Sequence, residues 1–451
     1  MSSISFQVLN PYNNILEAQF DFETIDQALF KANDLNKVFN VWRNFSINDR
    51  SNLIAKFSEF LEDNKTEIAK LISTDMGKPI MQSFVEIEKS IDCCKFYIEN
   101  IENIQLRLKQ PQFFHEPIGV VLGIMPWNFP LWQIIRFLIP AIISGNVCLI
   151  KPAYNCFRIA NFLLKFFESG IIKFFDIVIT EDVVTEKLIV NEIIKGVSLT
   201  GSVSAGQKVA NLASQSFKNL VLELGGSDPF IICKDANLNK AITNLVSAKF
   251  LNSGQTCIAP KRIYFEADIF DEAMNLFVKK TEQFIRFGDP IDKKVNFGPI
   301  ARLDIKLRLD HQIKSAGLAK QNIVYNRSDI TKCKNYFAPL VIDARNFSHD
   351  HILLKEEVFG PVAVCRSFSN IDDVINEANE SSFGLGASIW TNNPEIKNFA
   401  AKNLDHGIIG INSTVKSDPK LPFGGRKNSG FGIELGIDGV LSFTNYKTII
   451  Q

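Results

Sequence analysis

Gly254, Gln255, Thr256 and Cys257 follow one another in a chain that also carries Glu223 at the end of the apolar run Leu220, Val221 and Leu222. The two side chains offer a sulfur nucleophile and a carboxylate base, the parts needed for covalent catalysis with a hydrolytic second step. An isolated cysteine is ordinarily a small buried hydrophobe. Cys257 stands apart from the rest of the eight cysteines because of these neighbours.

Three other stretches can hold a ligand or a charge. Pro126-Trp127-Asn128-Phe129-Pro130 fixes Asn128 between prolines and aromatics, where its amide can donate to a developing oxyanion. A packed aromatic turn accounts for the same residues equally well. Gly201-Ser202-Val203-Ser204-Ala205-Gly206 follows an apolar strand and opens a helix, a place where backbone N–H groups and the helix dipole hold a phosphate. It lacks the third glycine of the dinucleotide fingerprint, and Gln207 stands where a P-loop has lysine, so alone it is an ordinary turn. Glu356 to Pro361 (EEVFGP) and Pro422 to Gly425 (PFGG) are further loops of fixed geometry.

Composition narrows the partners. At 451 residues the chain has room for about three domain-sized units, each able to bury a core. Lys plus Arg and Asp plus Glu both number 49, and the net charge of zero argues against nucleic acid or an anionic membrane. The cysteines show no metal-ligand spacing, which fits a reducing compartment. His349 and His351 form a pair without a third ligand cluster, and Cys93 and Cys94 fall in a predicted helix as packing residues, so no metal is expected. Met1 to Asn14 lacks the blocks of a signal peptide, which predicts a cytoplasmic protein. The most apolar stretch, Leu131 to Ile150, carries Arg136, Pro140 and Gly145 and reads as a core segment.

The elements that must position these groups show in the periodicity. Helical patterns run over 22–44, 47–73 behind a Ser46 cap, and 79–103. Residues 104–117 lose the helical period and suggest a hairpin leaving the body. Strands at 118–124, 147–151, 176–179, 196–199 and 219–224 then alternate with helices, including 131–144 and 157–169. That alternation predicts a doubly wound parallel sheet, with ligands at the carboxyl ends of its strands. A second α/β series starts after Gly226, with strands at 229–233 and 262–266 and helices at 238–252 and 271–284. The boundary puts Glu223 and Cys257 at the mouth of the cleft between the two.

Taken together, PWNFP at 126–130, KPA at 151–153, TGS at 200–202, LELGG at 222–226, GQTC at 254–257, EEVFGP at 356–361 and PFGG at 422–425 resemble the NAD(P)-dependent aldehyde dehydrogenase superfamily along nearly the whole chain. LGGSDPF at 224–230 and KSDPKLPFGGRKNSGFGIELG at 416–436 are similar to the shorter bacterial succinate-semialdehyde dehydrogenases.

The resemblance implies that Cys257 is the nucleophile, Glu223 the base that activates water, and Asn128 with the Cys257 N–H the oxyanion hole. It places NAD or NADP against Met125, Trp127, Lys151, Ala153, Tyr154, Gly201, Ser202, Leu224, Glu357 and Phe359. Within that set Lys151 reaches the adenosine ribose, Ser202 the pyrophosphate and Glu357 the nicotinamide ribose. It assigns the carboxylate of an aldehyde substrate to Arg136, Lys416 and Ser417, with Leu251 where other relatives carry a second arginine. The implied fold has a cofactor domain (1–103 and 118–226), a catalytic domain (227–436) and a small β oligomerisation domain (104–117 and 437–451). Family members are homodimers or homotetramers.

Two positions depart from common patterns. Tyr154 replaces the acidic residue that holds the ribose hydroxyls in many NAD-preferring members, which predicts that NADP is accepted. Ala259 removes the second cysteine that some relatives use for a redox disulfide. The expected reaction is oxidation of succinate semialdehyde to succinate through a thioester. The alternatives are another semialdehyde or aliphatic aldehyde, a non-catalytic homologue, and a cofactor-independent cysteine hydrolase.

Overall fold

Two mostly parallel sheets carry the apolar runs of the chain, described by a computed structural model over residues 4–327 and 333–450. Residues 1–3 of the N-terminal stretch and residue 451 of the C-terminal segment lie outside the described residues. The first sheet has six strands in the spatial order Gly430–Phe431, Asn219–Glu223, Ile194–Thr200, Val120–Met125, Val147–Pro152 and Phe175–Ile177. Val120–Met125 runs parallel to both of its neighbours, and the strand order reverses beside it. Ligands bind at such a reversal, outside the carboxyl ends. Here those ends deliver Met125 and the PWNFP loop on one strand and Gly201 and Ser202 on the next. Gly430–Phe431 returns from far along the sequence and pairs antiparallel at the edge, with Gly430 opposite Glu223.

The second sheet orders Ile323–Asn326, Leu340–Asp343, Val362–Phe368, Pro260–Glu266, Asp228–Ile232, Gly386–Trp390 and Ile408–Ile411. Only its first pair is antiparallel. Alternate side chains enter opposite cores, as a pleated strand requires: Phe230 and Ile232 pack on one face, Ile231 on the other. Helix Pro130–Ile143 is buried at every position, so the apolar stretch is a core segment. Among the described residues no helix is long and apolar enough to cross a membrane.

Several expected elements differ in detail. The pattern over 47–73 is two helices, Ile47–Asp63 and Lys65–Met76, parted at Asn64. The Asn64 side chain bonds back to the Phe60 carbonyl and competes with the next helical turn. Asn100 does the same to Phe96, so the pattern over 79–103 becomes Ile80–Glu99 and Ile101–Leu108. Ser46 does cap its helix, in a capping box with Asp49.

The hairpin expected over 104–117 is corrected. Helix continues to Leu108 because Ile104 is buried in the core, and strand Phe113–Pro117 pairs antiparallel with Thr444–Thr448 from the C-terminal region. The helix expected over 157–169 is α-helical only to Phe162 and then tightens to a 3-10 turn that Gly170 closes at φ 80°. An N-terminal hairpin, Ser5–Leu9 with Leu16–Asp21, has no counterpart in the sequence reading.

Candidate active site

The approach to Cys257 is a strained turn. Asn252, Ser253 and Gly254 have φ of 50°, 56° and 76°, three left-handed residues in succession. Two of them are not glycine, and each such residue costs of order 1 kcal/mol or more unless its surroundings fix it. They are fixed. Asn252 Nδ2 donates to the Asn128 carbonyl at 2.8 Å, and its backbone N–H to Gln82 Oε1 at 2.9 Å. Ser253 Oγ donates to the Gly298 carbonyl at 2.7 Å and accepts its N–H at 3.0 Å. A Cβ on Gly254 would lie 2.4 Å from the Gly360 carbonyl oxygen, so only glycine fits. Beyond the cysteine, buried Lys261 donates to the carbonyls of Cys257 at 2.7 Å and Thr256 at 3.2 Å and pairs with Glu357 at 3.4 Å.

Asn128 is tied to the same loop. It is buried, and its Nδ2 donates to the Gln255 carbonyl at 3.1 Å. The start of the following helix is held by Glu86, whose Oε1 accepts the N–H groups of Leu131 and Trp132 at 2.9 and 3.0 Å. Glu86 is ion-paired in turn with fully buried Lys78, whose ammonium lies 3.8 Å from the centre of the Phe129 ring. A carboxylate at a helix N-terminus is favourable, and this one holds the PWNFP loop in register.

Glu223 is buried, and neither of its carboxyl oxygens meets a hydrogen-bond donor among the described residues. Burial pushes its pKa well above the usual carboxylate range; Arg136 opposes this and Glu434 adds to it. Burial likewise pushes the Cys257 thiol up to about 11, against the pull of Arg136 and Lys261. Cys257 therefore rests as the thiol at neutral pH, and Arg136 favours ionisation of both groups.

Arg136 is 2 % exposed, ion-paired with Glu434, bonded to Thr200 Oγ1 at 3.1 Å and placed 4.8 Å from the Phe423 ring centre. The resemblance assigns Arg136 to the substrate carboxylate, and a buried guanidinium needs an anion. In the structure Glu434 of the same chain supplies an anion to it.

On the other side of the PWNFP loop the rings of Trp127 and Phe359 meet edge to face, 5.8 Å apart. Glu357 lies over Gly225, where a Cβ would come within 2.2 Å of its carboxylate, and it accepts the Gly226 N–H at 3.1 Å. Leu224 packs into the space left by the missing side chain of Gly206. Ser202 caps the helix Val203–Ser214 by accepting the Ala205 N–H, with Gly201 just before it. Buried Met125 ends its strand, and Lys151, Ala153 and Tyr154 sit half-buried at the end of the next. Lys151 lies 3.9 Å from Asp182, and burial lowers its pKa. The Arg302 guanidinium stands 4.9 Å from the centre of the Tyr154 ring. This crevice suits a dinucleotide: a helix N-terminus for its pyrophosphate, cations at the ribose end, and a glycine that admits the glutamate.

A cavity of about 870 Å3 has Cys257 in its wall, with Arg136, Trp132, Phe423, Leu251 and Ser417. Ser417 is buried and Lys416 exposed. Asn128 and Glu223 are not part of this wall. Sequence reasoning missed Lys89, which lines the cavity, and also Lys78, Glu86, Lys261, Arg302 and Glu434. Lys261, four residues after the nucleophile, and Glu434, within the last quoted motif, carried a signal in their position. Among the described residues no cluster of three His, Cys, Asp or Glu is placed to bind a metal, and His351 caps a short helix instead.

The family model for the aldehyde dehydrogenase family matches residues 2–449. The chain is 35% identical over 421 residues to a probable NADP(+) succinate-semialdehyde dehydrogenase of Synechocystis sp., covering 92% of each. It is 35% identical over 458 residues to the NADP(+) succinate-semialdehyde dehydrogenase of Mycobacterium leprae, covering 99% of each. Its fold superposes on the solved succinic semialdehyde dehydrogenase of Streptococcus pyogenes, a complex with NADP+, with a TM-score of 0.92 and 28% identity over 99% of this chain and 100% of that one. With a strained cysteine loop beside a dinucleotide crevice, and a match along nearly all of its length, the chain belongs to the aldehyde dehydrogenase family.

Proposed function

We propose that this enzyme oxidises succinate semialdehyde to succinate with NADP or NAD. The observation that carries the reading is the cavity that has Cys257 in its wall together with cationic and hydroxyl side chains among apolar and aromatic ones. The names of the relatives in Synechocystis and Mycobacterium leprae support the same substrate. Cys257 gives up its Sγ proton to solvent as Sγ bonds to the aldehyde carbon, and Asn128 Nδ2 with the Cys257 N–H holds the resulting oxyanion. When bound, the nicotinamide ring supplies the acceptor for the hydride that leaves this carbon. The thioester left on Cys257 is opened by water. Glu223 takes the proton of that water as the C–S bond breaks, and burial, by raising its pKa, makes its carboxylate a stronger base than an exposed one.

Glu357 and Lys151 take the two riboses in this reading, and Gly201 and Ser202 the pyrophosphate. Tyr154 offers the 2′-phosphate no negative charge, and Lys151 and Arg302 flank it, which supports NADP. Residues 1–103 and 118–226 form the cofactor domain and 227–436 the catalytic domain. Residues 104–117 and 437–451, whose strands Phe113–Pro117 and Thr444–Thr448 pair and leave Tyr446 exposed, join copies into a homodimer or homotetramer. The cysteines, all free among the described residues, suit a reducing cytoplasm.

The test is a panel of aldehydes assayed by the absorbance of the reduced nicotinamide, once with NAD and once with NADP. Succinate semialdehyde is expected to give the highest kcat/KM, with NADP turned over. A higher value for an uncharged aliphatic aldehyde would overturn the substrate, and an NAD preference above about a thousandfold, some 4 kcal/mol, would overturn the cofactor reading.

A further inference from the structure

The cavity wall holds several charges, and most are already committed. Arg136 is neutralised by Glu434, and Glu86 by Lys78 and two backbone N–H groups. Lys95, Lys416, Lys420, Asp92, Glu99 and Asp418 lie exposed at the rim, where water screens them. Lys89 differs from all of these. It follows Glu86 by three residues on helix Ile80–Glu99, so helical spacing turns it toward the same cavity. Its Nζ donates to Ser417 Oγ at 2.5 Å and lies 4.1 Å from the centre of the Trp132 ring. Among the described residues it pairs with no carboxylate.

An ammonium held in a pocket by a hydroxyl and an aromatic face still has donors to offer an incoming anion. We infer that Lys89, with Ser417 beside it, binds the carboxylate at the far end of the substrate and sets the preference for carboxylate-bearing aldehydes. Arg136, in the same wall, is already paired with Glu434 and acts through the charge balance around Cys257 and Glu223. The assignment rests on the substrate reading above. It differs from that reading in which cation meets the substrate.

The experiment compares kcat/KM for succinate semialdehyde and for butanal, an aldehyde of the same chain length without the carboxylate, in the parent enzyme and in Lys89→Met, Lys89→Gln and Lys89→Arg. Truncating one partner of a desolvated charge pair predicts that the ratio of the two values falls at least about thirtyfold in Lys89→Met, mainly through the KM for succinate semialdehyde. Lys89→Arg restores most of the ratio because the charge returns. Lys89→Gln keeps a donor for Ser417 and gives the same readout if the methionine variant does not fold.

A parent ratio near one sinks the substrate reading itself, whatever the variants do. A large parent ratio that survives loss of the charge, or a parallel fall for both aldehydes without recovery in Lys89→Arg, overturns the role of Lys89 and leaves the substrate reading standing.

Discussion

The cleft edged by Trp127 and Phe359 and the cavity that has Cys257 in its wall are built in different ways. In the first, the walls are strand ends and turns, and side chains serve to hold backbone in place: Glu357 over Gly225, Lys261 on the carbonyls of Thr256 and Cys257, Leu224 against Gly206. In the second, much of the wall is one face of helix Ile80–Glu99 set against Trp132 and a loop near Ser417. A ligand read by backbone constrains short runs of glycine and turn residues, whereas a ligand read by side chains constrains single positions far apart in sequence. The cofactor side is therefore fixed in shape, and the substrate side can change its preference one side chain at a time.

The sharpest break between the two sides comes at the nucleophile they share. Cys257→Ala should lower aldehyde oxidation by more than about a thousandfold while NADP binding, followed by fluorescence titration, survives. Because burial holds the thiol near 11, alkylation of the parent enzyme by iodoacetamide should rise about tenfold per pH unit through pH 9 and level off only near 11. A plateau near 8.5 would show an ordinary exposed thiol. The next effect is expected at Glu223→Gln, which keeps the shape and loses the base. Rapid mixing should show about one equivalent of reduced cofactor per site, followed by a steady state at least about a hundredfold slower. Parent-like turnover would remove Glu223 from the hydrolytic step. The smallest effect belongs to the cofactor side alone. Arg302→Ala removes a partly screened cation beside Tyr154, so the NADP over NAD ratio of kcat/KM should fall by roughly two- to fivefold. No change in that ratio would leave Lys151 as the cation that meets the 2′-phosphate.

The same difference explains what could be read in advance. The alternation of strands and helices and the loops carrying Asn128, Gly201, Glu223, Cys257 and Glu357 are local patterns, and each appears in the sequence as a short run of distinctive residues. Lys89 sits among Glu88, Ser90 and Asp92, and nothing in that run separates a cavity cation from a solvated one. The Arg136 partner Glu434 lies nearly three hundred positions away, so their pairing leaves no local trace in the sequence. The breaks at Asn64 and Asn100 were missed because the hydrophobic period runs on through them while a side chain caps the previous turn. Pairing of Phe113–Pro117 with Thr444–Thr448 joins two segments that say nothing of each other locally.

The late return of Gly430–Phe431 to the first sheet bears on how the protein is made. As the chain leaves the ribosome, the strands from Val120 to Glu223 emerge long before residues 430–434, and domains form from the N-terminal side as they are synthesised. Until those residues arrive, the edge of Asn219–Glu223 is open to pairing with another nascent chain, and Arg136 faces the core without Glu434. Maturation of the nucleophile's surroundings thus waits on residues translated more than two hundred positions after Glu223. A ribosome stalled shortly before Gly430 would hold a well-formed sheet that is both inert and prone to self-association.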